Sequence, residues 1–163
     1  MAKTMDFKII DNSKKVLEAS DEAIEKILES WGIEVEKNAK LELNRSPKRI
    51  DTGLLRNSIT HAVSGKSPAI TSYRGDKESR YGIRKGVPTG SYSGTAPADD
   101  KSKKAVYVGT NVEYAPYVHD GTQGGIFGSG KPLEPNRFLK NGVEKSKDKL
   151  KDMAKQILEQ TNL

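Results

Sequence analysis

Two histidines, no cysteine and a scatter of carboxylates are the reactive side chains of this 163-residue chain, which supplies most enzyme classes poorly. His119-Asp120 would suit a base beside its orienting carboxylate, or a pair of metal ligands. Neither arrangement is completed: the other imidazole, His61, falls on an expected strand, and no spaced carboxylate cluster accompanies either histidine. A hydrogen-bonded or merely exposed histidine is the simpler reading of both. Without cysteine there is no disulfide framework, zinc ribbon or thiol nucleophile, and no serine sits in a nucleophile elbow. Gly125-Ile126-Phe127-Gly128-Ser129-Gly130-Lys131 fits the spacing of a phosphate-cradling loop up to its lysine. Pro132 then stands where a magnesium-binding Ser or Thr is needed, Pro132 to Pro135 cannot open the required helix, and Asp120 to Gly124 is no strand. The residues therefore predict no catalytic, cofactor-binding or metal site, and a protein that is not an enzyme.

Charge is the next chemistry on offer. The net charge is +6 and its placement is uneven: residues 65–104 hold nine basic side chains against four acidic ones, whereas residues 12–45 hold six against eight. Arg74, Lys77, Arg80, Arg84, Lys85, Lys101, Lys103 and Lys104, with Tyr73, Tyr81 and Tyr92 among them, could grip phosphates and stack on bases. The competing reading is a solvated loop tip, since acidic residues interrupt the run and it fits no established nucleic-acid module.

These residues must be positioned by a modest core. The chain is 34% hydrophobic with a mean hydropathy of -0.71, and its length suits a single domain over 1–163 carrying an arm at 65–104. No long apolar run or basic-then-apolar leader at Met1 is present, so a soluble, intracellularly made protein is expected. From Val16 to Leu43, Val16, Leu17, Ala23, Ile24, Ile27, Leu28, Trp31, Val35 and Ala39 recur as one helical stripe, with Gly32 a weak point and Pro47 stopping the helix near Arg45. A second amphipathic helix is expected from Asn136, as its cap, to about Gln160, with Leu139, Val143, Ser146, Leu150, Met153, Ala154, Ile157 and Leu158 at its spacing. Between them the period falls to two at Ser58–Val63 and Ala105–Thr110, which predicts a small antiparallel sheet. The connection of those strands is rich in Gly, Ser, Lys, Asp and Pro, with weak extended pieces around 69–73 and 81–87, and its composition predicts a mobile arm that a partner orders. The fold class is α+β: long N-terminal and C-terminal helices packed on a small antiparallel sheet, with a long mobile loop between two strands. On that reading, deleting Ser67–Ser102 leaves the fold intact.

Two short joints remain. Asp51-Thr52-Gly53-Leu54-Leu55-Arg56 supplies a cap and a helical turn, and Tyr114-Ala115-Pro116-Tyr117-Val118 supplies another, with Tyr114, Tyr117 and Val118 on one face and Gly121 ending it. In order, Asp51-Thr52-Gly53-Leu54-Leu55-Arg56-Asn57-Ser58-Ile59, Val108-Gly109-Thr110-Asn111-Val112, Tyr114 to Val118 with Gly121-Thr122, and Pro135-Asn136-Arg137-Phe138-Leu139 resemble the gene-product-ten-like tail-component proteins of long-tailed bacteriophages and prophages. The resemblance spans the chain from first helix to last. It departs from the family pattern at His119-Asp120 and at Asn136-Arg137, and the arm is variable territory in such proteins.

The resemblance implies a structural role at the neck of the virion, as a tail-completion or head-tail joining subunit, made in the host cytoplasm and closing into a homo-hexameric ring. Head-completion and tail-tube proteins would be its neighbours, with a passing contact to phage DNA and none to membrane. It implies no catalytic residues. What transfers is scaffold: Asp51, Thr52, Gly53, Leu55 and Arg56 in one joint, Tyr114, Ala115, Tyr117, Val118, Gly121 and Thr122 in the next, and Phe138 anchoring the last helix. The rival from another class is a basic nucleic-acid-binding protein that uses the arm.

Overall fold

The computed structural model describes residues 13–45, 50–80, 85–98, 104–124 and 131–161. Arg84, Lys101 and Lys103, and the Gly-rich run at 125–130, lie outside the described residues. The elements run α1 (Ser13–Leu43), α2 (Leu54–Ser58), β1 (Thr60–Val63), β2 (Ser72–Arg74), β3 (Thr89–Ser91), β4 (Val106–Gly109), α3 (Ala115–Asp120) and α4 (Phe138–Gln160). This is an α+β arrangement in which two long helices and a short antiparallel sheet share one core. Among the described residues no helix is long and apolar enough to cross a membrane.

The helical stripe of α1 follows from its 3.6-residue period, and the last turn tightens as Asn44 and Arg45 donate to the carbonyls of Leu41 and Glu42, both at 3.1 Å. Glu42 meets Asn141 and Lys145, Asn38 meets Ser146, and Glu34 meets Lys149, so α1 and α4 run antiparallel. They cross closely because Gly142 has no side chain: a Cβ there would lie 2.9 Å from the Ala39 nitrogen and 3.0 Å from its Cβ. Buried Ser146 is satisfied by the Gly142 carbonyl at 2.7 Å and by Asn38 at 2.9 Å, while the Trp31 indole donates to its carbonyl at 3.2 Å.

One end of the expected stripe is not core. Val16, Leu17 and Ile24 are exposed, whereas Ala23, Val35, Ala39 and Leu43 are buried. At 1.5 Å per residue α1 is about 46 Å long and α4 about 35 Å, so the pairing that starts at Glu42 leaves the first turns of α1 overhanging. The local period reads a face; it cannot say how much of that face a partner element reaches.

β1 and β4 pair with Thr60 opposite Gly109 and Val63 opposite Val106. All four β1 residues are buried, not the alternate ones alone, because α1 covers one face and residues 92–97 lie along the other. α4 also starts one residue later than expected. Its N-cap is Arg137, at a left-handed φ of 51° and without a side-chain cap bond. Asn136 does not cap it: the Asn136 and Arg137 N–H groups donate instead to the carbonyls of Val118 and His119, at 3.1 and 2.9 Å, and so close the end of α3.

Where it is described, the connection between β1 and β4 is tied by backbone pairing and is not the free arm its composition predicts. Residues 72–74 and 89–91 form a second antiparallel pair, with Ser72 opposite Ser91 and Arg74 opposite Thr89. The Ala69 N–H donates to the His61 carbonyl at 2.8 Å along the outer edge of β1, and the Gly65 and Ala96 amides tie 65–66 to 96–97. Polar, Gly-rich segments are held here by backbone hydrogen bonds rather than by apolar burial, a source of order that a composition count does not register.

Candidate functional site

The motif residues form a junction. Leu55, Ala115, Val118 and Phe138, one or more from each joint, are at most 6% exposed and pack in one cluster with Ala39, Leu43, Ile59 and Val112. The Tyr114 phenol, its pKa pushed up by burial, meets the Leu55 backbone and the Thr52 hydroxyl, and so ties the second joint to the first. Gly121 sits against the Leu133 carbonyl where a Cβ would collide, and Thr122 and Leu133 exchange backbone hydrogen bonds of 2.8 and 2.9 Å. Tyr117 departs from the expected face: it is 54% exposed, while Tyr114 and Val118 turn inward.

Around α2 the first joint becomes a clasp on the 72–80 segment. The Thr52 hydroxyl accepts the Leu54 N–H at 3.2 Å, which starts the turn, and the Thr52 carbonyl accepts the Asp76 N–H at 2.6 Å. Asp76 then receives Arg56 at 2.6 Å on one carboxylate oxygen and Asn57 at 2.9 Å on the other. Gly53 lies under that carboxylate at φ 82°, where a side chain would be strained and would overlap Asp76. Asp51 accepts the Ser79 hydroxyl at 2.5 Å and the Arg80 guanidinium at 3.4 Å, and these hold its carboxyl below the ordinary range.

A second set of ties closes the far side of the β2–β3 pair. The Tyr92 hydroxyl donates to the Ser58 carbonyl at 2.6 Å and accepts the Asn111 N–H at 3.2 Å, while the Tyr73 hydroxyl donates to the Asn111 side chain at 2.5 Å. Asn57 and Asn111 donate to the Arg74 and Ser91 carbonyls, both at 2.8 Å, and so occupy outward-facing groups of β2 and β3. Removing Ser67–Ser102 would delete Tyr73, Asp76 and Tyr92 together. The expectation that such a deletion leaves the fold intact is therefore withdrawn.

Among the described residues, the basic side chains of this stretch divide into those held in ion pairs and those left exposed. Lys104 pairs with Glu25 at 3.0 Å and Asp21 at 3.7 Å, Lys66 reaches the same Glu25 at 2.6 Å, and Arg80 pairs with Asp51. The two lysines hold the Glu25 carboxyl below its ordinary pKa. Arg74, Lys77 and Lys85 are exposed.

The histidines are separated. The His119 Nδ1 lies 2.7 Å from the adjacent Asp120, and its ring meets Phe138 edge-on at 5.2 Å. His61 is the residue sequence reasoning undervalued. Its side chain is 5% exposed between two α1 carboxylates, Glu36 at 2.6 Å from Nδ1 and Glu29 at 3.1 Å from Nε2. The Glu36 hydrogen bond raises its pKa against the opposing effect of burial. Glu36 itself is pulled upward by burial, but the bonds from His61 and Lys40 outweigh this and leave it lowered. The available signal was Glu29, Gly32 and Glu36 on one helical face, meaningful only once a strand is laid over it. Asp76 gave no local signal at all, and Asn57 and Asn111, though they stand inside two of the motifs, gave none of their bonds to Arg74, Asp76, Tyr73 and Ser91.

Among the described residues no group of three His, Asp or Glu side chains is arranged to hold a metal ion. Compared with known proteins, the chain matches no family model, no curated protein and no solved structure. What the junction does is pack the two joints and the start of α4 against α1 in one apolar cluster.

Proposed function

We propose that the chain is a structural virion protein of a tailed bacteriophage or prophage, acting at the neck as a tail-completion or head-tail joining subunit of the tail-terminator kind. Copies of it close into a ring, a hexamer matching sixfold tail symmetry, between head-completion and tail-tube proteins. The observation that carries the reading is the convergence of the four motifs. Residues that resemble one family's signatures, as far apart in the chain as Leu55 and Phe138, meet in the single cluster of Leu55, Val112, Ala115, Val118 and Phe138. Such a junction fits a building block whose work lies in presenting a fixed surface to copies of itself and to adjacent virion proteins. The exposed turns at the start of α1, with Val16 and Leu17 uncovered, leave apolar area for an assembled neighbour.

Virions purified from a strain carrying the gene test this directly. The chain should be present in the particle at the copy number of one ring, and labelled antibody should mark the neck. Particles that lack it while the chain stays free in the lysate overturn the reading. A gel shift at two salt concentrations addresses the rival: tight, steeply salt-dependent binding would favour a nucleic-acid-binding protein, which counterion release would explain.

A further inference from the structure

His61 is bonded to a carboxylate at each ring nitrogen, and this geometry has one protonation state that satisfies it. A neutral imidazole carries a single N–H, so it would donate to one glutamate and turn a lone pair toward the other; only imidazolium donates twice. The groups facing the ring come chiefly from α1: Glu29, Glu36, and Lys40, which bonds Glu36 at 2.5 Å. β4 contributes Val106 and Val108, neither of them titratable, and residues 67–70 over the outer edge of β1 carry no charge. Lys66 is turned away onto Glu25, and the half-buried Tyr92 phenol lies within the field of Glu36.

The helix is shaped to admit the ring. A Cβ on Gly32 would lie 2.8 Å from both the His61 Cδ2 and a Val106 methyl, so the absence of a side chain there lets β1 and β4 settle onto α1. The α1–α4 pair rests on other groups: the Gly142–Ala39 crossing, the Asn38 and Trp31 bonds to Ser146, and Lys149 on Glu34. None of them involves His61.

We infer that His61 is a proton-held latch fastening the β1–β4 sheet to α1, so that loss of one proton loosens the sheet from the helix while α1 and α4 stay together. On deprotonation a carboxylate that has already given up part of its hydration loses its donor, and the cost falls on the sheet-to-helix contact alone. The inference is independent of the neck assignment.

The test uses the full chain. Ring 15N shifts of His61 should show both nitrogens protonated at neutral pH, and a single deprotonation above it. Through that step, hydrogen exchange corrected for intrinsic rates should speed up about tenfold or more at 61–63 and 106–108, and stay level at 142–150. Glu29→Gln, at the exposed end of the latch, should move the titration midpoint down, and His119→Gln should leave it in place. A neutral His61 ring at pH 7, or α4 amides that lose protection in step with β1, would overturn the latch.

Discussion

Gly32 and His61 are complementary: the side chain that the helix residue lacks is the space that the strand residue fills, with 2.8 Å between a would-be Cβ and Cδ2 of the ring. Replacing a mid-helix glycine by alanine ordinarily gains up to about 1 kcal/mol. Here overpacking of about 1–3 kcal/mol opposes that gain. Gly32→Ala should therefore destabilise the fold by about 1–2 kcal/mol, read as a lower urea midpoint at unchanged slope. Because Val106 shares the contact, Val106→Ala should recover part of the loss in the double variant. A Gly32→Ala chain more stable than the original would refute this packing account.

The clasp predicts two graded effects. Asp76→Ala removes the acceptor of Arg56 and Asn57, so tryptic cleavage at Arg74 and Lys77 should accelerate while the far-ultraviolet helix signal stays near its original size. Gly53→Ala must hold alanine at φ 82° against the Asp76 carboxylate, which should cost about 2 kcal/mol in denaturant unfolding. Unchanged proteolysis of the Asp76 variant would show that the segment is held by other means.

Phe138 is fully buried where the two joints meet the start of α4, with the His119 ring edge-on to it. Phe138→Ala should cost about 3–5 kcal/mol, a large share of the stability of an ordinary domain. Phe138→Leu should retain most of the fold. Thermal unfolding of the pair separates a core anchor from a replaceable apolar contact.

Stability should be bounded on both sides of neutrality. Burial raises the pKa of Glu42, but Lys145, Asn141 and Arg45 outweigh it and leave the group below its ordinary 4.5. Glu34, held chiefly by Lys149, and Glu36 are lowered too. A lowered carboxyl contributes stability that is present above its ordinary value and lost as pH falls through the folded one, so unfolding should ease below about pH 4.5. His61 acts with the opposite sign. Its raised pKa gives stability that is full below 6.5, the ordinary value, and is lost as pH rises through the folded value. Glu42→Gln should flatten the acid limb and cost roughly 1–2 kcal/mol at neutral pH, and His61→Gln should flatten the alkaline limb. Urea midpoints measured across the pH range check both.

The amino-acid sequence by itself determined the two long helices, the β1 and β4 strands, the turns at Gly53 and Ala115, and the α+β class. Periods of 3.6 and two, and the punctuation by Gly and Pro, act within a few residues and so survive without a fold. It was silent on what holds residues 65–80 and 85–98. There the partners are distant in the chain: Asp76 finds Arg56 and Asn57, and Asn111 finds Tyr73 and Ser91, by hydrogen bonds that leave no periodic trace. Gly32 read locally as a weakness and His61 as a histidine with little to do. Only the tertiary structure made them one device, because a glycine's use is the atom it omits, and that omission has meaning only where a second element comes close enough to need the room.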